Sequence, residues 1–118
     1  MAKHLDSGKH GEQLAVQFLK ERGYHILVLN WRHKYCEVDI IAKDKDTLVF
    51  VEVKSRSSSS FGEPDSFVDS RKQGLLIRAA DAYLDSSGYE GEIRFDIVSV
   101  YLRENNHIEL IKDAFWSN

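Results

Sequence analysis

The sequence predicts an α/β fold, a mixed central sheet flanked by helices, and three observations carry that prediction. Two segments place apolar residues at helical spacing, and five others carry apolar or alternating runs that suit strands. Their order along the chain is α, β, β, β, α, β, β, which calls for layers of helix on sheet. With 118 residues, 42% hydrophobic and 30% charged, the chain is long enough for one real core, so residues 1–118 are read as a single domain.

Residues 8–22 read as the first helix: Leu14, Ala15, Phe18 and Leu19 form a stripe, and Gly23 is placed to stop it. TyrHisIleLeuValLeuAsn at 24–30 is the first strand, followed by TrpArgHisLysTyr as a basic, aromatic connection. CysGluValAspIleIleAla at 36–42 and LeuValPheValGluValLys at 48–54 are the next two strands, and AspLysAsp at 44–46 is turn chemistry that would close them into a hairpin. The polar stretch from Ser55 to Pro64 has little to bury and reads as a mobile loop. A second helix is expected from about Ser66 to Ser86, with Leu75, Leu76, Ala79, Ala80, Tyr83 and Leu84 in its stripe and Gly74 weakening its middle. Residues 92–102 and 107–112 are the last strands, joined through an AsnAsn turn.

Chemistry enters with the central hairpin. Alternate side chains of a strand share a face, so Glu37 and Asp39 would point one way, as would Glu52 and Lys54. Paired at roughly 5 Å, the two strands would let Asp39 and Glu52 converge on one cation. Glu52 and Lys54 interrupt a run whose other members, Leu48 to Val51 and Val53, are apolar, and a buried charge needs a partner. Two plainer explanations stand beside the metal site: a sheet edge where both reach solvent, or a structural ion pair.

Other residues are weighed in the same way. Glu12 follows two glycines on the first helix and is either a further metal ligand or a helix N-terminal acid favoured by the macrodipole. Glu37 is a ligand or an ion-pair partner of Arg32 or Lys34. Arg32, His33, Lys34 and Arg56 form the candidate basic rim, with Trp31 and Tyr35 available to stack on an unpaired base. Lys72 and Gln73 either meet a phosphate backbone or are solvated helix residues, and Asp96, set between Phe95 and Ile97, is read as ordering structure.

Whole-chain properties narrow the classes. A net charge of −3 argues against a protein that coats nucleic acid by neutralising phosphates, but leaves room for an enzyme with local basic residues. Cys36 is the only cysteine, so no intrachain disulfide can form, and neither paired Cys nor closely spaced His offers a zinc site. The first residues lack an apolar leader core and no run approaches a membrane span, so a cytoplasmic protein with no membrane partner is expected.

AspIleIle at 39–41 followed by GluValLys at 52–54 resembles the PD-(D/E)XK nuclease motif. GlyLysHisGlyGluGlnLeuAla at 8–15, AsnTrpArg at 30–32, GluValAspIleIleAla at 37–42, LeuValPheValGluValLysSerArg at 48–56, PheGly at 61–62, LysGln at 72–73 and ArgPheAsp at 94–96 are similar to the YraN-like uncharacterised family, itself similar to archaeal Holliday junction resolvases. The resemblance covers nearly the whole chain and implies a restriction-endonuclease-like αβββαβ core. It further implies an endonuclease acting on DNA, of the branched or flapped kind, with Asp39, Glu52 and Lys54 as catalytic residues. Mg²⁺ or Mn²⁺ would be held by Asp39, Glu52 and the Val53 carbonyl, with Glu12 and Glu37 in support. Arg32, Lys34, Arg56 and Lys72 would face nucleic acid. The alternative from another class is a catalytically silent module that keeps the fold to bind nucleic acid or protein. Resolvases act as dimers on two-fold junctions, though no sequence feature here supports a homodimer. The family usually has Gly where this chain has Cys36, which would alter the backbone path that aims Glu37 if that position needed positive φ.

Overall fold

A computed structural model describes residues 3–56, 69–102 and 105–116. The chain runs α1 (Lys3–Glu21), β1 (His25–His33), β2 (Cys36–Asp44), β3 (Thr47–Arg56), α2 (Ser70–Ser87), β4 (Ile93–Tyr101) and β5 (His107–Ile111), the expected order. The polar stretch at 57–64, the PheGly pair within it and the proposed start of the second helix lie outside the described residues.

Helix ends follow local chemistry. Gly23 takes φ 91°, its N–H donates to the Lys20 carbonyl and the Tyr24 N–H to that of Leu19, a Schellman stop. α1 begins at Lys3, five residues before the expected start at Gly8. Asp69 caps α2, its Oδ1 accepting from the Lys72 N–H at 2.9 Å, and Gly88 ends it at φ 70°.

The five strands form one sheet in the order β1-β2-β3-β4-β5. All neighbours are antiparallel except β3 and β4, which are parallel and joined through α2, the crossover a parallel pair requires. Lys45 at φ 57° helps close the β2–β3 hairpin at Asp44↔Thr47, as the AspLysAsp turn predicts. The sheet is mixed, open and flanked by two helices, consistent with a restriction-endonuclease-like core.

Each helix covers one face. Leu48, Phe50, Phe95 and Ile97 pack with Leu76, Ala79 and Ala80 of α2, while Val49, Val51, Val98 and Val100 pack with Ala15 and Leu19 of α1. β3 is apolar on both sides because it is covered on both sides. Glu52 on this strand is 9% exposed, so it does not simply reach solvent at a sheet edge.

Two expectations about the first hairpin need correction. TrpArgHis at 31–33 is strand rather than connection, because it pairs with Cys36, Glu37 and Val38 across a two-residue turn with Lys34 at φ 54°. Strict alternation also fails at Asp39: Val38 and Ile41 join the α2-side core, whereas Ile40 and Ala42 join the α1-side core. Asn30, which would stand opposite Asp39, has φ 53°, and Val28 and Trp31 on either side of it both face α2. The alternation is thus interrupted between Val38 and Ile40, opposite the left-handed Asn30.

The far end of the sheet is fastened by polar groups. Asp96, 1% exposed, accepts hydrogen bonds from Tyr24 Oη (2.8 Å), Arg94 Nε (2.8 Å) and the Asp113 N–H (3.0 Å), and Arg94 also donates to Asp44 at 2.9 Å. These partners raise the Arg94 pKa, while burial and Asp96 raise that of Tyr24. Burial opposes ionisation of Asp44, yet the Arg94 hydrogen bond and Lys112 hold it below its ordinary value. Asp96 therefore orders structure, as expected.

Candidate functional site

The β2–β3 ladder runs from Asp44↔Thr47 to Ile40↔Val51 and stops. Asp39 and Glu52 are the next residues on each strand. Beyond them β2 stays paired with β1 as far as Cys36, and β3 with β4 as far as Arg56, so the sheet forks into two arms. Inside the fork the Val53 N–H, deprived of a strand partner, donates to Asp39 Oδ2 at 2.8 Å. A side chain thus replaces a ladder bond, which fixes the Asp39 carboxylate beside β3.

Glu52 is 9% exposed, and its carboxyl and that of Asp39 act on each other's ionisation. Burial, reinforced by the Glu52 charge, pushes the Asp39 carboxyl up to about 7, against the pull of the Val53 N–H. Glu12 and Glu37 add to the rise, so four acids contribute to one electrostatic site. Burial raises Glu52 as well, opposed first by Lys72 and then by Asp39 and Lys54. Lys72 Nζ stands 3.5 Å from Glu52 Oε2, reaching down from the first turn of α2. Among the described residues no three His, Cys, Asp or Glu side chains form a ready metal cage.

Glu12 acts on Asp39 electrostatically from α1, which lies close to β3. Gly11 is buried against Ser55, and a Cβ there would collide with the Ser55 hydroxyl. Glu12 also lines a groove of about 360 Å³ with Lys9, Gln13, Val16, Leu29 and Asn30. Glu37 is held by Arg32 across the hairpin, Oε1 to Nη2 at 3.5 Å, the ion pair that the sequence left open. Lys34 and Tyr35 form the hairpin tip, Tyr35 being 96% exposed. Trp31 is unavailable for stacking on a base: it is half-buried, edge-on to Tyr83 at 5.4 Å and stacked on His33. Lys54 and Arg56 follow Glu52 on the other arm and are partly buried. Cys36 is buried and keeps an ordinary φ, the left-handed residue being Lys34, so the missing Gly introduces no backbone strain.

One residue of this region escaped the sequence reading. Ser99 is fully buried, stands in register with Lys54 on β4, and its Oγ has no hydrogen-bond partner among the described residues. Its signal was a hydroxyl inside the apolar run IleValSerValTyr. Lys72 was noticed, but its closeness to Glu52 depends on how α2 packs and could not be read from spacing.

The model of the uncharacterised protein family UPF0102 matches residues 11–100, a span that holds both arms of the fork. The chain belongs to this family. A UPF0102 protein of Flavobacterium psychrophilum is 49% identical over 98% of both chains. Those of Christiangramia forsetii and Bacteroides thetaiotaomicron are 43% and 44% identical, each over 98% of this chain and 98% or 97% of its own length. These relatives are matched over nearly their full length, and the family's description assigns no activity. No helix among the described residues is long and apolar enough to cross a membrane.

Proposed function

We propose that this chain is a metal-dependent endonuclease of PD-(D/E)XK type that hydrolyses phosphodiester bonds in DNA, at branched or flapped structures. The observation that carries this reading is the fork, where the half-buried Asp39 and the buried Glu52 stand together with Val53 between the arms and Lys54 two residues on. Two adjacent carboxylates largely withdrawn from solvent repel each other, and a divalent cation relieves that cost.

The donor set fits Mg²⁺ or Mn²⁺, hard ions that accept two carboxylates and a carbonyl and keep several waters. Asp39, Glu52 and the Val53 carbonyl would hold the ion, with Glu12 and Glu37 adding negative charge from the rim. When bound, it supplies Lewis acidity toward the phosphate and toward water. Lys54 orients the attacking water and offsets charge on the phosphoryl oxygens. Arg32, Lys34, Arg56 and Lys72 border the opening and serve as phosphate contacts.

The test is cleavage of flapped, four-way, single-stranded and duplex DNA in Mg²⁺ or Mn²⁺. Glu52→Ala and Lys54→Ala are expected to lower kcat/KM by about 10²-fold or more. Activity that survives both substitutions rejects this site. A silent binding module is the second reading, favoured by the net charge of −3 and by the slender basic rim of Arg32, Lys34, Arg56 and Lys72. Structure-selective binding without metal-dependent cleavage would establish it instead.

A further inference from the structure

Whereas Lys54 follows Glu52 on β3 itself, Lys72 approaches Glu52 from helix α2. Its N–H is tied to Asp69 Oδ1 at 2.9 Å and the next N–H, of Gln73, to the Asp69 carbonyl at 2.9 Å, so its backbone is fixed by the cap. Its side chain is 46% exposed, while the Glu52 side chain it meets at 3.5 Å is 11% exposed. The pair therefore joins a movable ammonium on a flexible stem to a carboxylate that cannot leave. A buried acid stripped of its counter-charge is costly, and here a second acid, Asp39, is held beside β3 by its hydrogen bond from the Val53 N–H, next to Glu52. Of the two lysines acting on Glu52, Lys72 exerts the stronger pull.

We propose that Lys72 is the resident counter-cation of the Asp39–Glu52 pair and that a divalent ion enters the fork by displacing its ammonium. The inference rests on the metal-dependent reading above and adds a competitor to it. A doubly charged ion on Glu52 and an ammonium 3.5 Å from the same carboxylate repel each other, so each weakens the other's hold. Metal affinity is then set by the ligands and also by the ion pair that must break. The fork stays compact without metal, and it fills only when the ion concentration overcomes Lys72.

The experiment needs no nucleic acid. Mn²⁺ binding to the full chain is measured by the paramagnetic resonance signal of free Mn²⁺ at low ionic strength. Lys72→Met is expected to tighten binding by about fivefold or more, the lower end of a typical coupling between two sites. Lys72→Arg keeps the charge, and Arg71→Met removes an exposed charge from the same turn; both should stay within about twofold of wild type. Without metal, Lys72→Met should melt below wild type, and saturating Mn²⁺ should narrow the gap. Lys72→Gln should match Lys72→Met, which keeps the question answerable if one variant folds poorly. Mn²⁺ binding that is unchanged or weaker in both neutral variants overturns the inference while leaving the metal site standing. Wild-type binding that Asp39→Asn fails to reduce overturns both.

Discussion

At the scale of single residues, Asp39 is the most informative group. Withdrawal from solvent and the Glu52 charge push its carboxyl up to about 7, so ionising it costs the folded state more than the unfolded chain. The sign follows. A raised native pKa means that the proton is bound more tightly in the fold, so this stabilising contribution is complete below about pH 4 and disappears as pH rises to about 7. Asp39→Asn should therefore melt above wild type at pH 8 in chelator, and that advantage should shrink steadily between pH 7 and pH 4. A gap that is constant with pH would mean that Asp39 is not held in this way. Millimolar Mn²⁺ should raise the wild-type melting temperature at pH 8 and leave Asp39→Asn unmoved. The types and order of Asp39, Glu52 and Lys54 were legible from the sequence, because charged residues in apolar strand runs stand out. The Val53 N–H on Asp39 was not, since that bond exists only where the two strands separate.

At the scale of elements, the site depends on how closely α1 approaches β3. Gly11 permits it by leaving room for Ser55. Gly11→Val should push the helix away and destabilise the fold by about 1–3 kcal/mol, the usual cost of overpacking. Ser55→Gly in the same chain should recover part of that loss, which a chemical-denaturation double-mutant cycle would measure. The same substitution moves Glu12 away from Asp39, so Mn²⁺ binding should weaken in Gly11→Val even at temperatures where it is folded. Helix stops and hairpin turns were readable because Gly23 and the AspLysAsp turn act locally. The extension of β1 through His33 was not, because it is imposed by pairing with Cys36–Val38. The break in alternation at Asn30 and Asp39 is of the same kind: neither residue alone announces a left-handed turn in the middle of a strand pair.

At the scale of the whole molecule, charge is the limiting quantity. A net charge of −3 and four candidate phosphate contacts, Arg32, Lys34, Arg56 and Lys72, leave little for non-specific attraction. The slope of log K against log salt for duplex binding should therefore be no steeper than about −4. A much steeper slope would point to a larger basic surface than these four residues supply. Arg32 and Lys72 also face acids of their own, Glu37 and Glu52, which lowers their reach toward a ligand further. The opposite end of the sheet contributes rigidity rather than binding, through the closed network of Tyr24, Arg94, Asp96 and Asp44.

By itself the sequence determined the order of the elements, the two-sided apolar character of β3 and the residues with chemistry to offer, because periodicity and side-chain type are local properties. Tertiary structure alone decided that the sheet forks after Ile40 and Val51, that alternation breaks opposite the left-handed Asn30, and that Lys72 comes down on Glu52. Each of these depends on contacts between segments far apart in the chain, whose geometry is set by packing on both faces of the sheet and not by any residue's own preference.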